Sequence, residues 1–204
     1  MCQQYFFLRH GAVEPDNVLL GQSIDPPLSQ MGKEQAIRWA KALKEVPFQA
    51  VVTSPARRAQ ETAEMFLQSR ERLPILHLPH FHEICWGEWE GLPLEEAHPL
   101  LEMQRQRWAA QDLHWTPPRG ESLHAALLRI GEGLRLLGSL YPTGSLLIIT
   151  HGQLLRILMT HLFGYPINHQ HLFHHERGQL SWLVRLPEGH FYLRELAVDV
   201  DTAF

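Results

Sequence analysis

Two apolar runs of this chain each end abruptly in a His-Gly pair. One run is FFLRHG, which ends at Gly11, and the other is LLIITHG, which ends at Gly152. Their continuous apolar character is typical of strands in a parallel sheet that is covered on both faces. Because ligands of open α/β sheets bind beyond the carboxyl ends of the strands, the two runs predict a site at one sheet edge. Glycine after each histidine lets the backbone turn sharply and approach a ligand.

The rest of the chain alternates between strand and helix patterns. Ser29 is predicted to cap one helix, and Ser54 is predicted to cap another with Pro55 as its first residue. A long helix is predicted after Gly120, with Ser122 as its cap, and a hairpin around residues 187–189, whereas residues 81–99 read as irregular. This order predicts an α/β fold with a mostly parallel sheet between helix layers, in one domain over residues 1–204.

Bulk composition excludes several classes of protein. The 204-residue chain has a net charge of −4, so no basic field would attract nucleic acid or an anionic membrane. No apolar run approaches the ~20 residues that span a bilayer, and the N-terminal residues lack the basic region of a signal peptide. The two cysteines form neither a disulfide framework nor a metal motif, so a cytoplasmic location is expected.

The strand end AVVTSPARR brings two arginines toward the same sheet edge. Arg57 shares a helix face with Glu61, which predicts a solvent-facing salt pair. Arg58 shares its face with Thr62 and Met65, so it is assigned to the site, where the first turn of the helix favours an anion. Arginines and histidines gathered at one helix start need a counter-anion, and a phosphoryl group suits guanidinium forks.

Phosphoryl transfer also needs a proton donor. The stretch HFHEICWGEWEG offers Glu83, Glu88 and Glu90 beside two tryptophans that would exclude water. Position alone does not choose among the three carboxyl groups. Histidine can serve as the nucleophile and form a covalent intermediate.

These elements, in this order, resemble the histidine phosphatase superfamily, which includes phosphoglycerate mutases and related phosphatases. The resemblance covers most of the chain and has six elements: LRHG, GQSIDPPLSQMGKEQA, SPARRAQETA, EICWGEWEG, RGESL and ITHGQLLR. The tripeptide RHG alone is weakly specific, whereas the ordered set is strongly specific. The resemblance implies a phosphoglycerate mutase-like fold, a three-layer α/β/α sandwich with a largely parallel central sheet, and no cofactor.

The resemblance also implies a role for individual residues. His10 is the expected phosphorylated nucleophile, Glu83 the general acid and base, and His151 the second catalytic histidine. Arg9 and Arg58, with both histidines, are expected to bind the phosphoryl group. Substrate contacts are expected from residues that match less closely: Asn17 (one place later than in many members), Gln22 and Gly152.

The expected activity is hydrolysis of a small phosphorylated metabolite, by a monomer or homodimer. Chain length and motif spacing look most like α-ribazole-phosphate phosphatases, with phosphoglycerate mutase as the alternative. A second alternative is a weakly active regulatory or metal-binding member of the fold, because histidines cluster at residues 80–82 and 168–176. No metal site is predicted from spacing alone. Arg119 and Arg156 match the family loosely and are candidates for additional phosphate or substrate charge contacts, although the favoured interpretation of Arg156 is a salt-bridge partner on its own helix.

Overall fold

A six-stranded sheet forms the centre of the molecule. The computed structural model describes residues 2–68 and 73–203, in which the strand order is β3-β2-β4-β1-β5-β6. Strands β1 to β4 are parallel, whereas β5 is antiparallel to β1 and β6 is antiparallel to β5. The strands are β1 Gln3–Arg9, β2 Phe48–Thr53, β3 Ile75–His77, β4 Gly144–Thr150, β5 Leu180–Arg185 and β6 Phe191–Val198.

Helices cover both faces of this sheet. The helices are α1 Gln30–Ala42, α2 Arg57–Leu67, α3 Leu94–Ala109, α4 Leu123–Leu140 and α5 Gly152–Leu162. Neighbouring residues of a strand point to opposite faces. Accordingly Phe6 and Leu8 pack in one core with residues of α1 and α2, while Tyr5 and Phe7 pack in a second core with residues of α3, α4 and α5. The predicted three-layer α/β/α sandwich with a largely parallel sheet is confirmed.

Two of the three predicted helix caps are confirmed. Ser29 accepts a hydrogen bond from the N–H of Gly32, and Ser122 accepts one from the N–H of Ala125. The prediction for Ser54 is wrong, because α2 begins at Arg57 and has Ala56 in the cap position without a side-chain bond. Ser54 instead contacts a histidine across the sheet edge, as described below.

Helix α3 was not predicted from the sequence. Part of the stretch that reads as irregular forms short 3₁₀ turns, Pro79–Phe81 and Gly87–Trp89, and α3 begins soon afterwards at Leu94. Pro99 lies inside α3, where proline normally interrupts a helical pattern. Tertiary packing compensates, because Ala97 and Trp108 of this helix are buried in the core.

The C-terminal hairpin is confirmed, with β5 and β6 antiparallel and the N–H of Leu186 bonded to the carbonyl of His190. Over the described residues, no helix combines the length and the apolar character that crossing a membrane requires. The six strands of the described residues belong to one sheet. One domain over residues 1–204 stays a prediction.

Candidate active site

The carboxyl ends of β1 and β4 place two histidines side by side. Arg9 pairs with Thr150 at the ends of these parallel strands, so the next residues, His10 and His151, leave the sheet together. Their ring centroids are 5.2 Å apart. The residue after β2, Ser54, reaches the same place, as predicted from the strand ends.

His10 is buried, and one hydrogen bond sets its tautomer. Its Nδ1 lies 2.8 Å from the carbonyl oxygen of Gly11. Because a carbonyl can only accept, Nδ1 carries the proton and Nε2 keeps a free lone pair. Burial, followed by the charges of Arg58 and Arg9, holds the pKa of His10 well below its usual value. His10 is therefore a neutral imidazole at pH 7.

His151 is held behind His10 by Ser54. The Ser54 hydroxyl oxygen accepts the N–H of Ala56 and lies 2.7 Å from Nε2 of His151. Nδ1 of His151 is buried and has no protein partner. The ring of His82 stacks on the other side at 5.8 Å. Burial is the largest cause that lowers the pKa of His151, and Arg58 adds to it.

Arg58 is fully buried beneath the loop before α1. Its guanidinium donates to the carbonyl of Gly21 at 2.8 Å and to the carboxylate of Asp25 at 2.9 Å, while its Nε–H has no protein partner. Burial lowers the pKa of Arg58, and the charges of Glu83 and Asp25 oppose that shift. Arg57 lies outside and pairs with Glu61, so the two arginines separate as their helix faces predict.

Arg9 is held against the start of α5. One of its terminal nitrogens donates to the carbonyl of His175 at 2.6 Å, and its Nε–H is also unpartnered. Burial lowers the pKa of Arg9 to about 10, so the group stays charged at pH 7. A Cβ atom on Gly152 would lie 2.8 Å from Cζ of Arg9, so a larger residue here would displace the guanidinium from this position.

Of the three glutamates Glu83, Glu88 and Glu90, Glu83 is the one that reaches this site. Its oxygens accept the N–H groups of Ile84 and Leu154, at 2.9 and 3.0 Å, and of Gln153 at 3.2 Å. Two of these donors belong to the first turn of α5, where unsatisfied N–H groups and the helix dipole favour an anion. The side chain is 7% exposed and lines the same cleft as His10.

The two competing glutamates lie elsewhere. Glu90 accepts the backbone N–H groups of Gln22, Ser23 and Trp86, so it ties two loops together. Glu88 is exposed and pairs with Arg119 at the surface. Neither residue is among the described residues that line the cleft.

Residues that sequence reasoning missed hold the backbone of Glu83. Arg129 donates to the carbonyl of Glu83 at 3.2 Å and binds the carboxylate of Glu121 at 2.6 Å. Glu121 also accepts the N–H of Cys85. The pattern RGESL points to Glu121, but no pattern in the sequence connects Glu121 with Arg129, which lies in the second turn of α4.

A cleft of about 360 Å³ opens above His10. The predicted residues Arg9, Arg58, Glu83 and Gly152 line it together with His10, while His151 is fully buried behind them. Additional lining residues are Asp16, Val18, Leu19, Leu20, Trp86, Leu94, His98, Leu101, Gln153, Arg156, His174 and Arg177.

Two residues predicted to contact the substrate, Asn17 and Gln22, do not line the cleft. Asn17 is exposed, and its carbonyl accepts the N–H of Leu94, whereas its neighbours Asp16 and Val18 line the cleft. The side-chain amide of Gln22 donates to the carbonyl of Glu83 at 2.9 Å. Gln22 therefore contacts the loop that carries Glu83.

The histidine clusters are dispersed in space. His82 stacks on His151, His174 lies at the cleft mouth, and the buried His175 bonds Ser181 at 2.7 Å. Across the described ranges, no three His, Cys, Asp or Glu side chains converge as metal ligands would. His82 and His175 therefore contribute to packing, and His174 contributes to the cleft.

Known proteins resemble this chain along most of its length. Adenosylcobalamin/α-ribazole phosphatase of Escherichia coli is 27% identical over 204 residues, which cover 98% of this chain and 91% of that protein. The uncharacterized phosphatase PhoE of Bacillus subtilis is 31% identical over 140 residues, or 69% of this chain and 66% of that protein.

Structural similarity extends over the whole sheet and its helices. The crystal structure of the α-ribazole phosphatase from Shigella flexneri superposes with a TM-score of 0.80 at 26% identity, covering 96% of each chain. The family model for branch 1 of the histidine phosphatase superfamily matches residues 5–199, which include every residue of the site. The chain therefore belongs to branch 1 of the histidine phosphatase superfamily and is an enzyme of the phosphatase class.

Proposed function

We propose that the protein hydrolyses a small phosphomonoester through a phosphohistidine on His10, with Glu83 as general acid and base. One observation carries the proposal: a buried, neutral His10 keeps the lone pair of Nε2 in a cleft that is flanked by two charged arginines. A neutral imidazole is the nucleophilic form, so no proton has to leave before attack.

In the first step, Nε2 of His10 forms a bond to phosphorus while the bond to the leaving oxygen breaks. Glu83 donates the proton that the leaving alkoxide needs. Glu83 lines the cleft and is braced by three backbone N–H groups, so its position is well defined. In the second step, water forms a bond to phosphorus while the bond between phosphorus and Nε2 of His10 breaks. The carboxylate of Glu83 takes a proton from that water, which restores the acid used in the first step, and inorganic phosphate leaves.

The transferring oxygens would meet Arg9, Arg58 and His151. The Nε–H groups of both arginines have no protein partner, so the site holds spare donors, and Nδ1 of His151 is also unpartnered. An oxyanion would use such donors at low cost because they are already oriented. Gly152 lets the Arg9 guanidinium approach the start of α5.

For the substrate we propose only a class, a small organic phosphomonoester. Members of the family act on small phosphorylated metabolites, and the named relatives make α-ribazole phosphate the first compound to test. Phosphoglycerate mutase is the alternative activity. A mutase would have to retain its product and return the phosphoryl group to it.

The test measures phosphate release across a panel of phosphomonoesters that includes α-ribazole phosphate, beside a mutase assay. The wild type should release phosphate and should form an acid-labile, base-stable phosphoenzyme in quenched single-turnover reactions. His10→Ala should lose both signals, with Arg57→Gln as a folded control. Full activity in His10→Ala would refute the mechanism, and isomerisation faster than phosphate release would favour the mutase.

A further inference from the structure

His175 is a buried histidine that takes no part in the proposed reaction steps. It lies between the cleft residues His174 and Arg177 along the chain, but it is 0% exposed and does not line the cleft. Both of its ring nitrogens are bonded: Nδ1 lies 3.0 Å from the carbonyl oxygen of Phe173, and Nε2 lies 2.7 Å from the hydroxyl oxygen of Ser181. Burying a polar ring costs hydration energy, so these bonds need a physical explanation.

The hydrogen bonds around His175 run in one direction. Because the Phe173 carbonyl can only accept, Nδ1 of His175 carries a proton. Burial is the largest cause that lowers the pKa of His175 to about 4, so the ring is neutral at pH 7 and its Nε2 accepts the hydroxyl proton of Ser181. The Ser181 oxygen in turn accepts the N–H of Ala197 at 2.8 Å. A network of three bonds therefore runs from Ala197 through Ser181 and His175 to Phe173.

The backbone of β6 is irregular where this network begins. Ala197 has a φ of 49°, in the left-handed region that residues with a Cβ atom rarely adopt. The register between β5 and β6 also shifts between Leu180 and Trp182, on either side of Ser181. At this irregularity the N–H of Ala197 donates to the Ser181 side chain. An unfavourable backbone conformation is thus retained where it completes a buried hydrogen bond.

The backbone of His175 holds the guanidinium of Arg9. One terminal nitrogen of Arg9 donates to the carbonyl of His175 at 2.6 Å. Over residues 2–68 and 73–203, this is the only protein hydrogen bond of the Arg9 side chain, whose Nε is unpartnered. Contact with Gly152 limits where the guanidinium can lie but adds no hydrogen bond to it. The orientation of Arg9 therefore depends on the position of one carbonyl group.

Two other arginines of the cleft are held differently. Arg58 bonds two backbone carbonyls and the carboxylate of Asp25, so it would keep two bonds if one were lost. Arg156 contacts Nδ1 of His174, and in the described part of the chain no carboxylate lies within salt-bridge distance of it. The favoured interpretation of Arg156 as a salt-bridge partner on its helix is therefore wrong.

We propose that His175 and Ser181 are positioning residues for phosphoryl transfer, which orient the Arg9 guanidinium through the His175 carbonyl. The proposal rests on the proposed function, in which Arg9 binds the phosphoryl group. Donors stabilise a transition state best when they are oriented before the reaction, so a guanidinium that can turn would stabilise the phosphoryl charge less. Because every ester presents the same phosphoryl group, the effect should not depend on the leaving group.

Ser181→Ala is the main test, because it removes one buried hydroxyl without adding atoms. In this variant kcat/KM should fall about 10- to 100-fold, by a similar factor for p-nitrophenyl phosphate and glycerol 3-phosphate, as expected for a displaced group that binds the phosphoryl oxygens. Ser139→Ala, which removes an exposed hydroxyl of α4, is the matched control and should behave as the wild type.

A conservative variant separates the hydrogen bond from the volume of the ring. The side-chain amide of His175→Gln can still accept the Ser181 hydroxyl, whereas His175→Leu fills similar space without any acceptor. His175→Gln should therefore retain more of the wild-type kcat/KM than His175→Leu.

Coupling to Arg9 separates positioning from a general loss of stability. In an Arg9→Ala background, Ser181→Ala should change kcat/KM for p-nitrophenyl phosphate less than about threefold, because the group that it orients is already gone. Leu137→Val alters the buried core beside Gln3, at the start of β1 and away from His10. It should lower the melting temperature and leave kcat/KM unchanged.

Binding of orthovanadate, measured by calorimetry, needs no turnover. Vanadate takes the place of the phosphoryl group, so Ser181→Ala should weaken its binding about tenfold. The proposal would be overturned by an unchanged kcat/KM or unchanged vanadate binding in a folded Ser181→Ala, by a loss confined to one ester, or by an equal loss with and without Arg9. Failure of the proposed function is separate, because it would appear as full activity in His10→Ala, while vanadate binding would still report on Arg9.

Discussion

The floor and the mouth of the cleft are built differently. At the floor, His10, Arg58 and His151 are at most 2% exposed, and His10 and Arg58 bond mainly to backbone carbonyl groups of the sheet edge and its loops. At the mouth, the side chains of His174 and Asp16 are 41% and 69% exposed, and they contact other side chains.

The two regions are expected to have different roles: the floor carries the reaction, and the mouth chooses among substrates. A substitution cannot remove a backbone carbonyl or N–H group. The contacts to these groups therefore hold the floor in the same arrangement whichever substrate is bound. Side chains at the mouth can change without disturbing the sheet. We therefore expect floor substitutions to reduce turnover of every ester and mouth substitutions to alter the preference among esters.

The largest effect is expected from Glu83→Gln at the floor. Loss of the proton donor should lower kcat/KM for an alkyl phosphate by about 10²- to 10⁴-fold. The loss should be smaller for p-nitrophenyl phosphate, whose leaving group needs no proton. Steady-state kinetics on both esters measure this, with the exposed Glu88→Gln as the matched control. Equal losses on both esters would argue against Glu83 as the acid.

An intermediate effect is expected on the pH dependence of the free energy of unfolding, because the histidines of the floor are buried. Burial lowers the pKa of His10 and His151 well below 6.5, and that of His175 to about 4. Below pH 6.5 these histidines are protonated in the unfolded chain but stay neutral in the folded protein. The free energy of unfolding should therefore decrease as pH falls. Each such histidine contributes a slope of about 1.4 kcal/mol per pH unit.

Urea denaturation between pH 7 and pH 5 measures this slope. His151→Gln should reduce it by about one histidine's contribution, whereas His98→Gln, at the exposed mouth, should leave it unchanged. An identical slope in His151→Gln and the wild type would show that His151 is not held neutral.

The smallest effect is expected from Leu101→Ala, which shortens an apolar side chain that lines the cleft. Removing part of a half-buried side chain should raise KM about three- to tenfold for esters with a carbon body, with kcat nearly unchanged. Leu128→Ala, on the exposed face of α4, serves as the control. A drop in kcat that matches the change in KM would place Leu101 in the floor rather than the mouth.

Much of the sheet edge could be predicted from local sequence. Apolar runs that end in Arg-His-Gly and Thr-His-Gly are short-range patterns, and parallel strands necessarily bring their carboxyl ends to one edge. Helical periodicity separated Arg58 from Arg57 for the same reason, since one face of α2 packs against the sheet. The predictions of Arg9, His10, Arg58 and His151 as one cluster depended on these local rules.

Other features depended on contacts between distant residues. Ser54 reads as a helix cap, but its hydroxyl lies beside His151. The stretch around Glu83 contains three glutamates, and Arg129, Glu121 and the N–H groups of α5 place only Glu83 in the cleft. Pro99 interrupts the helical pattern of α3, and packing of this helix against the core offsets the cost of the proline.

Local patterns of the sequence are enough for the α/β class, the shared sheet edge and the residues gathered there, because strand and helix periodicities are local. The tautomer of His10 and the three N–H groups that hold the Glu83 carboxylate become visible only in the folded protein. Those properties depend on burial and on partners that lie far apart along the chain. Desolvation and hydrogen-bond geometry arise only when the partners meet.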